Sequence, residues 1–356
     1  MEKTKSKKIK KILIISLVAL IVLFCTASMI MVKLMFNDSF GRGEMDSYSV
    51  SYRYNDIKEA YQRTSVELYS GENLLKGYIY GADNDKALLV ISHGIGGGHE
   101  GYIAEIVRFV DNGYMVFAYD CTGSCESEGD GTMGLSQSAL DLDAALTYIE
   151  NDSELSKLKK VLLGHSWGGY AVCAVQNFDH DIAAAASISG YSEPVEMITE
   201  WGERSLGAFV YAEYPFIWLN NKIIFGKYSD LSAVEGINKS DVPTLIIHGT
   251  GDDVINYDGA SIISKKDKIT NPNVEYYTVT DKEINGHNSI FYSKEAQKHR
   301  DELEDKYDEL CDEYGGNIPD EVNEEFFSNV DKAKANEHNE VMFEKIEEFF
   351  DSAISC

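Results

Sequence analysis

The chain has 356 residues, 59 acidic against 32 basic, for a formal net charge of −27. That balance, with no basic patch interleaved with aromatics, argues against a nucleic-acid partner and describes a surface kept soluble by self-repulsion. There are no internal repeats, low-complexity tracts or metal-ligand spacings of the H-E-x-x-H kind, so neither a solenoid nor a metalloprotease is expected, and no cofactor or metal is implied.

The first eleven residues hold six lysines and one acid, Glu2, leaving about −32 for the remainder. Ile12 to Val32 then runs for 21 residues without a charge. As a helix that run is about 31 Å long, enough to cross a bilayer core. A cleaved secretory signal is the alternative, but its apolar core is usually shorter and ends in an A-x-A-type site. The run is read as a signal-anchor. With the lysines before it and only Lys33 and Arg42 closely after, the N-terminus is expected in the cytoplasm and the rest of the chain outside. Residues 1–36 therefore form the basic N-terminus and membrane helix. Residues 37–63 form a polar connector, flexible at Gly41-Arg42-Gly43, with a helix starting between Ile57 and Gln62.

From Ser65 the pattern alternates between strand and helix. Val66–Tyr69 and Leu75–Tyr80 read as a hairpin around Ser70-Gly71-Glu72-Asn73. Ala87–Ser92 is a third strand ending in the glycine-rich His93-Gly94-Ile95-Gly96-Gly97-Gly98. Helical spacing covers 103–110, Tyr114–Tyr119 is a strand, and 135–149 is an amphipathic helix. Val161–Gly164 is a strand, 171–175 a helix, and 182–188 a sixth strand. After an interruption, Val242–His248 and Val274–Val279 supply two more. Such alternation predicts a mainly parallel sheet covered on both faces, with ligands at the strands' C-terminal ends.

The chemistry centres on Gly164-His165-Ser166-Trp167-Gly168, where a buried-type strand meets a helix. A serine at the apex of such a turn is strained, and its neighbours two residues away must lack a Cβ. The turn exposes Oγ and aims the Trp167 N–H at an anion forming beyond it. A serine alcohol needs a base, and the base an orienting carboxylate. Downstream, His248-Gly249-Thr250-Gly251-Asp252-Asp253 follows one strand and Asn285-Gly286-His287 follows the next. This gives the order Ser166, Asp252, His287, with Asp253 the rival acid. Upstream, the loop after the third strand is placed to supply a second oxyanion donor.

In these motifs the chain resembles an α/β-hydrolase of the monoglyceride-lipase and serine-aminopeptidase-like group. His93-Gly94 resembles its H-G-x-G loop, Gly164–Gly168 its nucleophile elbow, 248–252 its H-G-x-x-D turn, and Gly286-His287 its base. The loop Asp120–Gly129 is similar to a D-x-x-G-x-G-x-S-x-G motif, with Cys125 where a glycine is usual. The resemblance covers residues 64 to 292. It implies an α/β-hydrolase fold with an eight-stranded sheet, a nucleophile Ser166, a base His287, an acid Asp252, and oxyanion donors Ile95 and Trp167. It also implies a small ester or short peptide as substrate, the carboxylic ester being preferred to the exopeptidase or amidase reading. A binding protein on a hydrolase scaffold is the more distant alternative.

Within the catalytic region, 64–356, the stretch of about 190–241 breaks the alternation and carries Met197, Trp201, Phe209, Tyr211, Tyr214, Phe216 and Trp218. In that family shape it forms a cap, with most rings holding the cap together and a few reaching an apolar pocket. Residues of about 294–340 are highly charged and helical, broken at Gly315-Gly316 and Pro319, before a last helix over 342–354. Six cysteines form no disulfide framework; Cys121 and Cys125 are read as free thiols near enough to bridge. His99, His180, His299 and His338 are read as plain surface residues.

Overall fold

The computed structural model describes residues 2–355; Met1 and Cys356, one of the six cysteines, lie outside them. Eight strands form one sheet: β1 (Arg63–Ser70), β2 (Asn73–Tyr80), β3 (Leu88–Ser92), β4 (Met115–Tyr119), β5 (Lys160–His165), β6 (Ala184–Ile188), β7 (Thr244–Gly249) and β8 (Val274–Val279). Their spatial order is β1-β2-β4-β3-β5-β6-β7-β8. Only β2 pairs antiparallel with its neighbours; β4 to β8 are parallel throughout. β3, β5, β6 and β7 are buried along their whole length. Parallel strands covered on both faces have no need of polar alternation, which is why these four read as continuous apolar or alanine runs.

The helices that cover the sheet follow the same logic. On one face, α4 (Gln137–Asn151), α5 (Trp167–Ala174) and α8 (Ala233–Lys239) pack Leu142, Tyr170, Val172 and Ile237 onto Val90, Leu162 and Ile246. On the other, α3 (Ile103–Asp111) and α12 (Glu340–Ser355) pack Ile106, Phe109, Phe343 and Phe350 onto Leu89, Leu163 and Leu245. Between β6 and β7 stand α6 (Pro194–Leu206) and α7 (Val210–Phe225), with α8 after them. The charged stretch after β8 forms α9 (Lys294–Glu313), α10 (Asp320–Ser328) and the short α11 (Lys332–Ala335). The breaks expected at Gly315-Gly316 and Pro319 are present, both glycines having positive φ.

The N-terminal helix α1 (Glu2–Ser39) is long and apolar enough to cross a membrane, with its first half bare. Its second half does not stand free, because Val32 and Phe36, with Phe40 just after the helix, are buried in the main core. The connector also differs from expectation. Gly41 bridges to Gly131 and Gly43 to Ser124. Arg42 donates to the carbonyls of Ser127 (2.9 Å), Gly129 (3.0 Å) and Cys125. A guanidinium carries five donors in a fixed fork, and three loop carbonyls satisfy it here. The stretch read as flexible is thereby pinned. The short helix that follows, α2 (Tyr54–Ile57), ends where the sequence pattern suggested it would begin.

Candidate active site

Ser166 joins the end of β5 to the start of α5 with φ 56° and ψ −113°, a conformation costly to any residue with a side chain. Its backbone is held there by its own N–H donating to Ile188 O (2.9 Å) and by its carbonyl accepting from Tyr170 (3.0 Å). Space around the turn explains the glycines. A Cβ on Gly164 would stand 2.1 Å from Gly168 O, and one on Gly168 would stand 1.9 Å from Ser92 O. Strand, turn and helix thus interpenetrate so closely that only hydrogen fits at either position.

Gly94 closes over the turn from β3, since a Cβ there would lie 3.6 Å from that of Ser166. His93 shapes this loop. Its Nε2 accepts from the Cys121 N–H (2.9 Å), which leaves Nδ1–H to donate to Gly94 O (2.7 Å). Burial lowers its pKa, consistent with a neutral ring. Neither the Ile95 N–H nor the Trp167 N–H donates a hydrogen bond to any of the described residues. Two free backbone donors flanking an elbow serine form a ready receptor for negative charge.

The base loop docks on the acid turn. Gly251 N–H donates to Asn285 O (3.1 Å), and Asn285 Nδ2 donates to Thr250 Oγ1 (2.9 Å). His287 Nδ1 lies 2.8 Å from Asp252 Oδ2, while Asp253 beside it is exposed. Asp252 also accepts from the N–H groups of Val254 (2.9 Å) and Ile255 (2.8 Å), with His248 Nε2 3.1 Å away. Burial pushes its pKa up, but hydrogen bonds from His248, His287 and the Ile255 backbone outweigh this and hold it far below the ordinary carboxylate range. The carboxylate is therefore ionised and locked in position. Ser166 and His287 are only 8% and 7% exposed, and Ser166 Oγ makes no hydrogen bond among the described residues.

His165 links the serine turn to the base loop. Its ring centroid is 4.8 Å from that of His287 and its Nε2 is 3.1 Å from His287 O. Its Nδ1 accepts from Tyr102 OH (2.8 Å), which itself accepts from the Gly94 N–H (3.0 Å). Burial, helped by the neighbouring His287, lowers the His165 pKa to about 3. A continuous chain of hydrogen bonds therefore runs from the Gly94 loop through Tyr102 and His165 to the backbone of His287. Sequence reasoning missed Tyr102, which sits in no motif. It treated His165 and His248 only as letters of one.

Several expectations are corrected. His99 is buried, its Nδ1 donating to Asp120 (2.8 Å) and its Nε2 accepting from Arg63 (2.8 Å). His180 lies between Asp143 and Glu150, and His338 contacts Glu105 at 3.3 Å; His299 is half-buried. Each lies beside a buried or partly buried acid or in a helix packed on the body, which residue type and spacing do not reveal. As expected, Cys121 and Cys125 are both unpaired, and Cys125 adopts φ 45°, the left-handed region that a glycine would occupy more easily. Of the cap's rings, Trp201 lines an apolar cavity beside α1. Phe209, Tyr211, Tyr214 and Trp218 are exposed, because α7 turns its buried side to α1 and α6.

Residues 83–234 match the family described as serine aminopeptidase, S33 (Hydrolase_4). The matched stretch holds Ser166 and ends before Asp252 and His287. No curated protein matches the chain in sequence. Among solved structures, an esterase of Pyrococcus furiosus, Pf2001, superposes with a TM-score of 0.52 at 16% identity, over 77% of this chain and 98% of that one. The α/β hydrolase GrgF from Penicillium sp. sh18 gives 0.50 at 15% identity, over 83% and 99%. With its sheet order and these likenesses, the chain is an α/β-hydrolase by fold, and its residues 83–234 are similar to the serine aminopeptidase S33 family.

Proposed function

We propose that the chain is a serine hydrolase that cleaves a carboxylic ester through an acyl-enzyme on Ser166. The observation that carries this is the 2.8 Å hydrogen bond of His287 Nδ1 to the ionised Asp252, made behind a serine held on a strained turn. With Nδ1–H donating to Asp252, Nε2 is the free, basic nitrogen. It takes the proton of Ser166 Oγ as that oxygen attacks the carbonyl carbon. The tetrahedral oxyanion accepts from the N–H groups of Ile95 and Trp167, each worth about 3–4 kcal/mol in comparable sites. Collapse expels the alcohol, which receives the proton from His287, and water then repeats the sequence to release the acid. The Ser166–His287 hydrogen bond tightens in the substrate complex, as catalytic hydrogen bonds commonly do.

The S33 match favours a second reading on the same machinery, release of an amino-terminal residue from a short peptide. Esters of graded acyl length assayed beside aminoacyl amides separate the two; turnover of the amides alone overturns the ester reading. A fluorophosphonate probe that labels the wild type and not Ser166→Ala is expected. Equal labelling of both would replace catalysis by a binding role. The same reading has α1 crossing the cell membrane, lysines inside and the catalytic domain outside. External protease on intact labelled cells tests that topology, which fails if the labelled domain is protected.

A further inference from the structure

In a chain with 59 acidic residues, the outward face of one helix has none. α7 turns Val210, Glu213, Ile217, Asn221 and Phe225 inward and leaves Tyr211, Pro215, Trp218, Leu219 and Ile223 outside. Tyr211 is 58% exposed, Trp218 41% and Ile223 67%. The basic side chain of this helix, Lys222, is tied to Asp230 at 2.9 Å, near its C-terminal end. A helix with so apolar an outer side is unstable against water and asks for a cover.

The covering medium is indicated by what α7 rests against. Phe216 meets Phe24 of α1 edge to face at 5.8 Å, and Glu213 accepts from Ser28 of α1 at 3.0 Å, both groups buried. Val32 and Phe36 of α1 line, with Val210 and Ile217 of α7, a cavity of about 150 Å³ between the helices. Along the uncharged run ending at Val32, Ser28 lies about 6 Å and Phe24 about 12 Å short of that end. If the run spans the bilayer, these contacts fall within its hydrocarbon core, and a helix about 10 Å across that touches them cannot remain clear of lipid.

We propose that α7 is a membrane-embedded, non-spanning helix, lying beside α1 in the leaflet nearest the catalytic domain with the face of Trp218, Leu219 and Ile223 against lipid acyl chains. The inference rests on α1 being a membrane span, and is independent of the chemistry at Ser166. Two of its polar groups fit that placement, and the Asp230 carboxylate beside the Trp218 indole is paired with Lys222. Glu213 turns its carboxylate away from lipid to Ser28, and Tyr211 OH donates to Glu203 at 3.2 Å, as an aromatic at the rim of a bilayer keeps its hydroxyl among polar groups. A soluble partner would have to cover a surface continuous with the bare apolar side of α1, where Leu23 is 65% exposed.

The test uses the full chain in single-copy nanodiscs, with the emission of Trp218 taken as wild type minus Trp218→Phe. Lipids brominated along the acyl chains are expected to remove most of that difference emission, while aqueous iodide leaves it nearly unchanged. An Ile223→Lys variant, at a position too exposed to govern folding, is expected to reduce the bromolipid quenching severalfold. Quenching by iodide instead overturns the proposal. So does shielding from both quenchers in a sample that assembles as a dimer. Resistance of the chain to extraction from vesicles at alkaline pH is read in parallel. Extraction removes the α1 premise and the proposal with it, whereas retention with iodide quenching removes the proposal alone.

Discussion

His165 Nε2 lies 3.1 Å from the carbonyl oxygen of His287, so the residue before the elbow serine fixes the backbone of the residue that bears the candidate base. Because Tyr102 OH donates to His165 Nδ1, Nε2 must carry the ring proton, and the tautomer is set by a residue more than sixty positions away. Tyr102→Phe removes that donor and also orphans the Gly94 N–H. The expected outcome is a kcat lowered by about tenfold, equivalent to about 1.4 kcal/mol, with KM little changed. Thermal unfolding should show a loss of about 1 kcal/mol. An unchanged kcat alongside that stability loss would reduce Tyr102 and His165 to packing.

Two adjacent aspartates make the acid assignment testable. Asp252 gathers four donors, whereas Asp253 is exposed. Asp252→Asn is expected to lower kcat by about 10³–10⁴ by leaving His287 in the wrong tautomer, and Asp253→Asn by less than about threefold. The depressed pKa of Asp252 adds a sign. Its contribution to stability is complete above the ordinary carboxylate pKa and is lost as pH falls through that range toward the lower folded value. Wild type should therefore lose stability on acidification more steeply than Asp252→Asn, as read by urea midpoints at successive pH values. Parallel slopes would remove the ionised, fully bonded carboxylate from the account.

Much of this architecture is legible in the chain because local and global demands coincide. The apolar runs at 88–92, 160–165 and 244–249 are strands buried on both faces, and Gly164 and Gly168 lie where a Cβ cannot fit. What remains hidden depends on partners distant in sequence. His99 reads as a surface residue because nothing near it announces Asp120 and Arg63. The rings of α7 read mostly as cap packing because their period says which residues share a face, not whether that face is buried or exposed. Gly41-Arg42-Gly43 reads as flexible because the carbonyls that capture Arg42 lie over eighty residues downstream.

The elbow glycines should tolerate nothing larger. Gly168→Ala would put a methyl 1.9 Å from a backbone oxygen that cannot retreat without distorting β3. The expected loss exceeds about 3 kcal/mol, the range of severe overpacking, and abolishes probe labelling of Ser166. Gly71→Ala is the control. Its φ is positive, at 59°, but nothing lies within 4 Å, so only the conformational cost of about 1 kcal/mol is expected. Comparable unfolding midpoints for the two variants would show that close approach is not what selects glycine at 168.

His180 should make the fold more stable in mildly acidic than in alkaline solution. Its Nε2 lies 2.9 Å from Asp143 and its Nδ1 3.0 Å from Glu150, so both ring nitrogens face carboxylates on α4. Burial works against the charged ring, but the hydrogen bonds to Asp143 and Glu150 outweigh it and raise the pKa above the ordinary 6.5. A raised folded pKa stabilises fully below 6.5 and ceases to do so as pH climbs through the folded value. Both acids are partly exposed, so solvent screening limits the effect to about 1 kcal/mol. His180→Gln should therefore unfold at lower urea than wild type near pH 6, and the gap should narrow by pH 9. A gap that stays constant, or widens, across that range would mean the imidazole is held neutral between the two carboxylates and contributes only as a neutral bridge from α4 to the segment entering β6.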